Sequence, residues 1–426
     1  MIALAYACVW LFGFSLPWES LTGSGHVDTG GILIISRGTG VIALGAALGM
    51  MLITGRVRRW HLFHVAALLF VLSAGLGLLL YHDFGEIPKK FYTYVQLFLV
   101  LWIIWELAPN RSRLIGLLVA YVAGCYVAAV GTILLYIREG HSLHRFAAGG
   151  SDPNDLAMTM VLGFPMAWYL GMTHERPFVR WIARIYLPIG LFATVLTGSR
   201  GGMLTTMVAL TIVPLTLARL TPGKRSLAVA LLLISGVLAV AFVPSTVVAR
   251  LETTTTTVED LSIGGRFKLW VAGLRAFLAR PVMGYGPGAY KPAITPQLGA
   301  LAQVAHNSYI SVLVEQGLVG FVLYYAMVAT VWYAVLKLPL LERRFSLVLL
   351  STLAIAMAPL TWEDHKNVWY ILAVLLGLTR AFAFEGPGTY RSRLVQPAAP
   401  PRPRARPPVR PLARPAALNP ERDARA

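Results

Sequence analysis

The sequence predicts an all-α integral membrane protein, with about 12 transmembrane helices and one large outward loop that contains an interfacial helix. Of its 426 residues, 57% are hydrophobic and only 13% are charged, long apolar segments recur, and basic residues gather in alternate connections. Soluble domains are roughly 45–50% apolar and about 25% charged. The composition therefore excludes a soluble enzyme and a disordered chain, and two cysteines exclude a disulfide scaffold.

The predicted membrane spans are apolar segments close to the roughly 20 residues that a bilayer-crossing helix needs. The N-terminus lacks a basic region and a cleavage site, so it is interpreted as a first span and not as a removed signal peptide. The first, seventh and eleventh of the twelve segments are short. The twelve are 2–16, 32–54, 61–81, 91–108, 114–136, 155–173, 185–198, 201–218, 226–243, 308–336, 346–360 and 367–384.

The positions of the basic residues predict the orientation. The connections after spans two, four, six, eight and ten hold fourteen Lys and Arg and two acids, a net charge of +12. The tail 385–426 has nine Arg and three acids and adds +6, which accounts for the whole net charge of +18. The positive-inside rule then places both termini and these five connections in the cytoplasm.

The tail 385–426 is a break in composition after a membrane domain spanning 1–384. Ten of its 42 residues are Pro and nine are Arg, with few large apolar side chains, so it is predicted to be disordered. Its basic residues are expected to meet anionic membrane lipids. Nucleic acid is not an expected partner, because aromatic residues do not alternate with the basic ones.

The longest outward loop, about 244–307, contains an amphipathic segment. Its apolar residues recur at steps of three or four, and Arg266, Lys268 and Arg275 form the polar side. Such a helix would lie at the membrane interface with its apolar face down. The apolar residues are Phe267, Trp270, Leu274, Phe277 and Leu278.

The same loop continues with a glycine-rich turn, 281–290, that includes Tyr285, and it ends at His306 before the next span. Alternate glycines permit close backbone approach to a ligand. Glu315 falls about 13 Å into that span at 1.5 Å per residue. A carboxylate at that depth is either functional or a polar tie to a neighbouring helix, and the sequence leaves both open.

Two further polar clusters lie at predicted outer membrane edges. Residues 145–157 contain Arg145 and Asn154 beside Asp152, which suits a helix N-cap because Pro153 follows it. The segment 197–202 holds Arg200, either snorkelling to head groups or offering its planar fork to a phosphate.

These clusters together resemble the O-antigen ligase/polymerase superfamily of bacterial multispan glycan transferases. The matching segments, in the family's order, lie between about residues 30 and 335. They are 145–157, 199–202, 265–270, 281–286 and 306–317.

The resemblance implies a metal-independent membrane glycosyltransferase of the bacterial inner membrane with a periplasmic active site. Such enzymes transfer a glycan, with inversion, from an undecaprenyl-diphosphate carrier to lipid A–core or a growing polysaccharide. By the resemblance, Arg200 and Arg266 stabilise the diphosphate leaving group and His306 is the candidate base. The outward loop about 244–307 is then periplasmic.

Further contacts to glycan or phosphate are assigned to residues near these positions. They are Arg145, Asn154, Lys268, Arg275, Tyr285, Lys291, Glu315 and Arg37, although Arg37 also fits a snorkelling residue. No cofactor is expected. His141 and His144 stand three apart, but nothing else indicates a metal site. Asp364 and His365 are expected in a solvated loop.

A transporter or flippase for a lipid-linked or anionic envelope substrate is the alternative function. It would favour charges at mid-bilayer and broken helices in paired halves. The predicted polar residues instead gather on the outer face. The sequence does not separate ligase from polymerase or from protein glycan transferase, and it leaves the sugars, the acceptor and the oligomeric state open.

Overall fold

The computed structural model of the chain describes residues 2–19, 35–55, 57–80, 87–140, 142–218, 220–252 and 261–394. These residues are mostly helical and include no β-strand, which confirms the all-α class. The described α-helices are α1 Ile2–Ser15, α2 Ile35–Thr54, α3 Leu62–Leu80, α4 Ile87–Leu107, α5 Arg111–Glu139, α6 Pro153–Thr173, α7 Pro177–Leu196, α8 Arg200–Leu210, α9 Ile212–Leu217, α10 Pro222–Phe242, α11 Ser245–Glu252, α12 Leu261–Ala279, α13 Tyr290–Leu298, α14 Ser308–Val335, α15 Leu340–Ala356 and α16 Lys366–Leu394.

Each of the twelve predicted segments falls on a helix, but fewer have the properties of a membrane span. Seven described helical segments are long and apolar enough to cross a bilayer, namely α3 to α7, the α8–α9 pair and α14. Shorter apolar helices cover Ala3–Trp18, Gly38–Thr54 and Arg225–Leu238. The structure therefore supports a multispan membrane protein, while the count of twelve stays a prediction.

The unit Met1–Ala383 contains all of these candidate spans. Helix α6 is apolar all round and almost wholly buried, as expected for a helix at the centre of a bundle. Its Thr159 Oγ1 accepts a hydrogen bond from Asn367 Nδ2 of α16 at 3.2 Å, and Trp168 Nε1 donates to Thr216 Oγ1 at 2.8 Å. These two hydrogen bonds tie α6 to α16 and to α9 inside the bundle.

The basic connections meet at one end of the bundle. The backbone N–H of Arg58 donates to Glu106 Oε1 at 3.0 Å near the C-terminus of α4. The guanidinium of Arg111 lies 4.8 Å from the ring centre of Phe382, and Tyr169 Oη lies 3.3 Å from Glu342 Oε1. Helices α4, α6, α14 and α16 all begin at the opposite end, where the candidate site lies.

Helix α14 is broken at Gly317, whose backbone has φ 62° and ψ −163°. The glycine-rich turn after α12 pairs with the backbone on both sides of this break. On one side, the N–H groups of Tyr285 and Gly286 donate to the carbonyls of Val314 and Glu315 at 3.0 and 2.7 Å. On the other, the N–H of Leu318 donates to the Pro281 carbonyl at 2.8 Å. Backbone groups freed by a break must find such partners inside a membrane protein.

The predicted outward loop contains α11, α12 and α13, and its residues 253–260 lie outside the described residues. The α12 side chains Leu269, Ala272 and Ala276 form a small core with α13. Phe267, Leu274 and Leu278 are exposed. An exposed apolar stripe is what an interfacial helix requires, so the interfacial position stays a prediction that these exposures support.

The last helix, α16, continues ten residues beyond the span predicted to end at 384. The tail predicted to be disordered begins at residue 385, so its first ten residues, 385–394, are instead described as a continuation of α16. Residues from 395 onward lie outside the described residues, as does the side chain of Arg37.

Replacing Gly317 with Ala is expected to destabilise the folded protein by about 1–3 kcal/mol, because the φ and ψ of this residue are accessible almost only to glycine. The thermal midpoint in detergent, followed by fluorescence-detected size exclusion, should fall. Gly236→Ala in α10 is the matched control, since a Cβ there meets no atom within 4 Å. Equal midpoints for the two variants would contradict the role assigned to the break.

Candidate active site

A cavity of about 1000 Å³ opens among α4, α6, α13, α14 and the α15–α16 connection. Ligand pockets in proteins have volumes of roughly 300–1,000 Å³. Four residues assigned from the sequence line it: Asn154, Lys291, His306 and Glu315. Five charged residues that the sequence analysis did not assign to the site also line it: Lys89, Lys90, Asp152, Asp155 and Asp364.

The N-terminus of α6 forms one wall of this cavity. Asp152 caps the helix, its Oδ1 accepting from the N–H groups of Asn154 and Asp155 at 2.7 and 3.2 Å, which confirms the predicted N-cap. The Asn154 side chain accepts hydrogen bonds through Oδ1 from Arg145 Nη2 at 2.8 Å and from Ser199 Oγ at 3.0 Å. The capped helix therefore joins two of the predicted polar clusters.

Arg200 is the first residue of α8 and follows Ser199, which caps that helix by accepting from the N–H of Gly202 at 3.1 Å. A Cβ on Gly202 would lie 2.8 Å from the Cβ of Ala157 in α6, so glycine allows the two helix ends to approach closely. The structure thus brings Arg200 to the end of the bundle that carries Asn154.

His306 and Arg266 come together with Asp152, although the three lie on different segments of the chain. Burial lowers the pKa of His306, the positive charge of Arg266 lowers it further, and Asp152 acts in the opposite direction. Burial also lowers the pKa of Arg266, against the effect of Asp152. The charge of Asp152 thus acts on both His306 and Arg266, and the charge of Arg266 acts on His306, so the three groups lie within electrostatic range of one another. A lowered pKa leaves the imidazole neutral near pH 7 and able to accept a proton.

Hydrogen bonds that involve α12 hold the segment before His306 in place. Trp270 Nε1 donates to the carbonyl of Ala305 at 2.9 Å, and Tyr290 Oη of α13 donates to the carbonyl of Leu269 at 2.8 Å. His306 has φ 46° and is the one non-glycine residue with positive φ in the part of the chain that the structure describes. Strained backbone of this kind clusters at functional sites when the surroundings enforce it.

A buried ion cluster adjoins the cavity, and only one of its members, Glu315, is predicted as a site residue from the sequence. Lys90 Nζ lies 2.8 Å from Glu315 Oε2 and 2.6 Å from Glu363 Oε1. Ser311 Oγ also donates to Glu363 Oε1 at 2.6 Å. Lys90 lies one residue before the predicted start of its span at 91. Two adjacent lysines at the end of an otherwise apolar helix were the available signal.

Three other residues predicted to contact glycan or phosphate lie away from the cavity. Lys268 and Arg275 are exposed on α12, and Tyr285 is half-buried with the guanidinium of Arg280 4.6 Å from its ring centre. None of the three lines the cavity. Their roles stay predictions.

The segment 363–365 differs from the solvated loop that the sequence suggested. Glu363 is fully buried and Asp364 lines the cavity, where burial raises the pKa of Asp364 against the effect of Lys90. His365 stacks on Trp362 with 4.6 Å between ring centres, and Trp362 Nε1 donates to Asp155 Oδ1 at 2.9 Å. The segment packs inward because Trp362 and Trp369 anchor it in the core.

Among the described residues, no group of three or more His, Cys, Asp or Glu is arranged to hold a metal ion. His141 lies outside the described residues. The expectation of metal-independent chemistry stays a prediction.

Replacing Arg145 with Ala is expected to lower the thermal midpoint, because it removes hydrogen bonds to the carbonyl of Thr197 at 3.0 Å and to Asn154. Hydrogen bonds to charged groups contribute about 1.5–3 kcal/mol. Arg145→Lys should be intermediate, since an ammonium lacks the planar fork. Arg138→Ala, whose side chain is 84% exposed, should leave the midpoint unchanged. An unchanged midpoint for Arg145→Ala would refute the bridging role.

Comparison with known proteins assigns a family to part of this site. Residues 185–325, about a third of the chain, match the family model described as O-Antigen ligase. The matched region includes Arg200, Arg266, His306 and Glu315. No curated protein matches the chain. The match over residues 185–325 confirms the resemblance to the O-antigen ligase/polymerase superfamily and supports glycosyl transfer in O-antigen assembly in general.

Proposed function

We propose that the chain transfers a glycan from an undecaprenyl-diphosphate carrier to an acceptor hydroxyl, with inversion and without a metal ion. The acceptor oxygen attacks C1 of the donor sugar, the bond from C1 to the diphosphate oxygen breaks, and undecaprenyl diphosphate leaves with the electron pair. The acceptor proton passes to the neutral imidazole of His306. Arg200 and Arg266 balance the charge that develops on the leaving diphosphate.

The observation that carries this proposal is that His306 and Asp152 line a cavity of about 1000 Å³, with Arg266 within electrostatic range of both. Arg200 and Arg266 themselves are not among the residues that line this cavity. A guanidinium has a fixed charge and a planar fork that suits phosphate oxygens. Preorganised charge aimed at a leaving group is often the largest catalytic contribution. The matched O-antigen ligase domain supports the same chemistry.

The donor carries a long lipid and the protein has several membrane-spanning helices, so the reaction belongs at a membrane surface. We assign that surface to the periplasmic side of the bacterial inner membrane, because the basic connections lie at the opposite end of the bundle and should be cytoplasmic. Lipid A–core and a growing polysaccharide are both acceptors of the required kind.

A transporter or flippase for a lipid-linked substrate is the second candidate, and two observations favour it. Helix α14 is broken at Gly317, and a charged cluster is buried next to it. Both features occur in transporters. The two functions separate in liposomes: a transferase forms glycan–acceptor product, whereas a flippase moves the lipid-linked donor between leaflets with no acceptor present.

Arg200→Ala, Arg266→Ala and His306→Ala should each lower product formation by about a hundredfold or more, because each removes a charge or base used in the transition state. The measurement is transfer from extracted lipid-linked donor to acceptor glycolipid by purified, reconstituted protein. Arg138→Ala, exposed near the C-terminal end of α5, is the matched control. Wild-type rates in all three variants would disprove the assignment.

The pH dependence of the transfer rate should reflect the protonation of His306. Its pKa is lowered from 6.5, so the rate should decline on the acid side only below that pH. Asp152→Asn keeps an oxygen for the helix cap but removes the negative charge that stabilises the imidazolium. The pKa of His306 then falls further, and the acid limb of the profile should move to lower pH. Glu175→Gln is the control and should leave the acid limb in place. An acid limb that moves to higher pH in Asp152→Asn, or that moves equally in Glu175→Gln, would contradict this account.

A further inference from the structure

The ion cluster beneath the cavity contains more carboxylates than its cation can balance. Lys90 contacts both Glu315 and Glu363, and Asp364 interacts electrostatically with Lys90 and Glu315. Lys90, Glu315 and Asp364 line the cavity. Lys89 also lines the cavity beside Lys90, so two ammonium groups face three carboxyl groups, and burial raises the pKa of one of these, Asp364. This part of the cavity is therefore rich in carboxyl groups.

Stability of the bundle does not account for the cluster. Buried ion pairs are often no more stabilising than apolar residues of similar volume, and uncompensated buried charge is costly. Two atoms here also lack a hydrogen-bond partner among the described residues, Oε2 of the fully buried Glu363 and Oγ1 of Thr361, which lines the cavity. Buried polar atoms are nearly always hydrogen-bonded, so such atoms call for a specific explanation.

The donor diphosphate does not fit this part of the cavity, because its negative charges would meet three carboxylates. Sugar hydroxyls fit it well. Each hydroxyl can donate to a carboxylate and accept from the Lys90 ammonium, and a sugar that carries an ammonium group would gain a charge-assisted hydrogen bond. A uronic acid or a phosphorylated sugar would be repelled.

We propose that Lys90, Glu315 and Asp364 form the acceptor subsite of the cavity, and that its occupant is a glycan end without negative charge. This inference rests on the proposed glycosyl transfer. His306 lines the same cavity, so an acceptor bound by the cluster lies in the compartment that holds the candidate base. The subsite thereby sets which acceptors the enzyme uses.

The test uses the purified full-length protein in liposomes, with lipid-linked donor and acceptor glycolipid extracted from the producing bacterium. The variants are Glu315→Gln and Asp364→Asn, which keep side-chain volume and some hydrogen bonding. Each should raise the acceptor KM by about tenfold, the effect of losing one hydrogen bond to a charged group. The donor KM should stay unchanged. Glu175→Gln, exposed at the opposite end, is the control.

Competition measures the charge preference directly. Cellobiose and the glucosamine disaccharide should inhibit transfer by the wild-type protein, whereas the disaccharide ending in glucuronic acid should not. Asp364→Asn should relieve this discrimination and serves as the second variant if Glu315→Gln does not fold. Inhibition by the acidic disaccharide equal to that by the neutral one, or an unchanged acceptor KM in the folded variants, would overturn the subsite. No transfer by the wild-type protein would instead overturn the proposed function.

Discussion

The pairing of the glycine-rich turn with the broken backbone of α14 is the constraint on which the rest of the site depends. Gly317 interrupts the helix, and the N–H and carbonyl groups it releases are taken up by the turn between Pro281 and Gly286. In lipid these groups would have no other partner. The pairing fixes the end of α12, and α12 in turn holds Ala305 through Trp270. A backbone requirement deep in the bundle thus determines where His306 stands.

The charged groups around the cavity differ between the surroundings of His306 and those of Lys90. His306 lies beside the Asp152 cap, within electrostatic range of Arg266, whereas three carboxylates gather around Lys90. Under the proposed function, the diphosphate would bind on the side of Arg266 and an uncharged sugar would bind near Lys90. The two substrates would then be oriented by their opposite electrostatic needs before any bond changes. This arrangement would also explain why one cavity contains both the strained His306 and a costly buried ion cluster.

The sequence predicts most of the helices because apolar runs are a local property, and every predicted segment falls on a helix. It also singles out His306 and Arg266 in the outward loop and Arg200 at another predicted outer edge, because polar motifs beside apolar runs are visible without coordinates. The roles predicted for them come from the family resemblance. The sequence does not reveal Lys90, Glu363 or Asp364 as partners of Glu315, because these residues are far apart in the chain and meet only when α4, α14 and the α15–α16 connection pack. The inward packing of residues 363–365 depends on Trp362 and Trp369, whose burial has no local signature.

The most direct test of the central claim is a cryo-electron microscopy structure of the protein in nanodiscs with undecaprenyl-diphosphate glycan bound. The diphosphate should lie between Arg200 and Arg266, with C1 of the first sugar facing His306 and the glycan end away from the carboxylates around Lys90. Density for the diphosphate among the basic connections at the opposite end of the bundle would contradict the account, as would a donor bound outside the cavity.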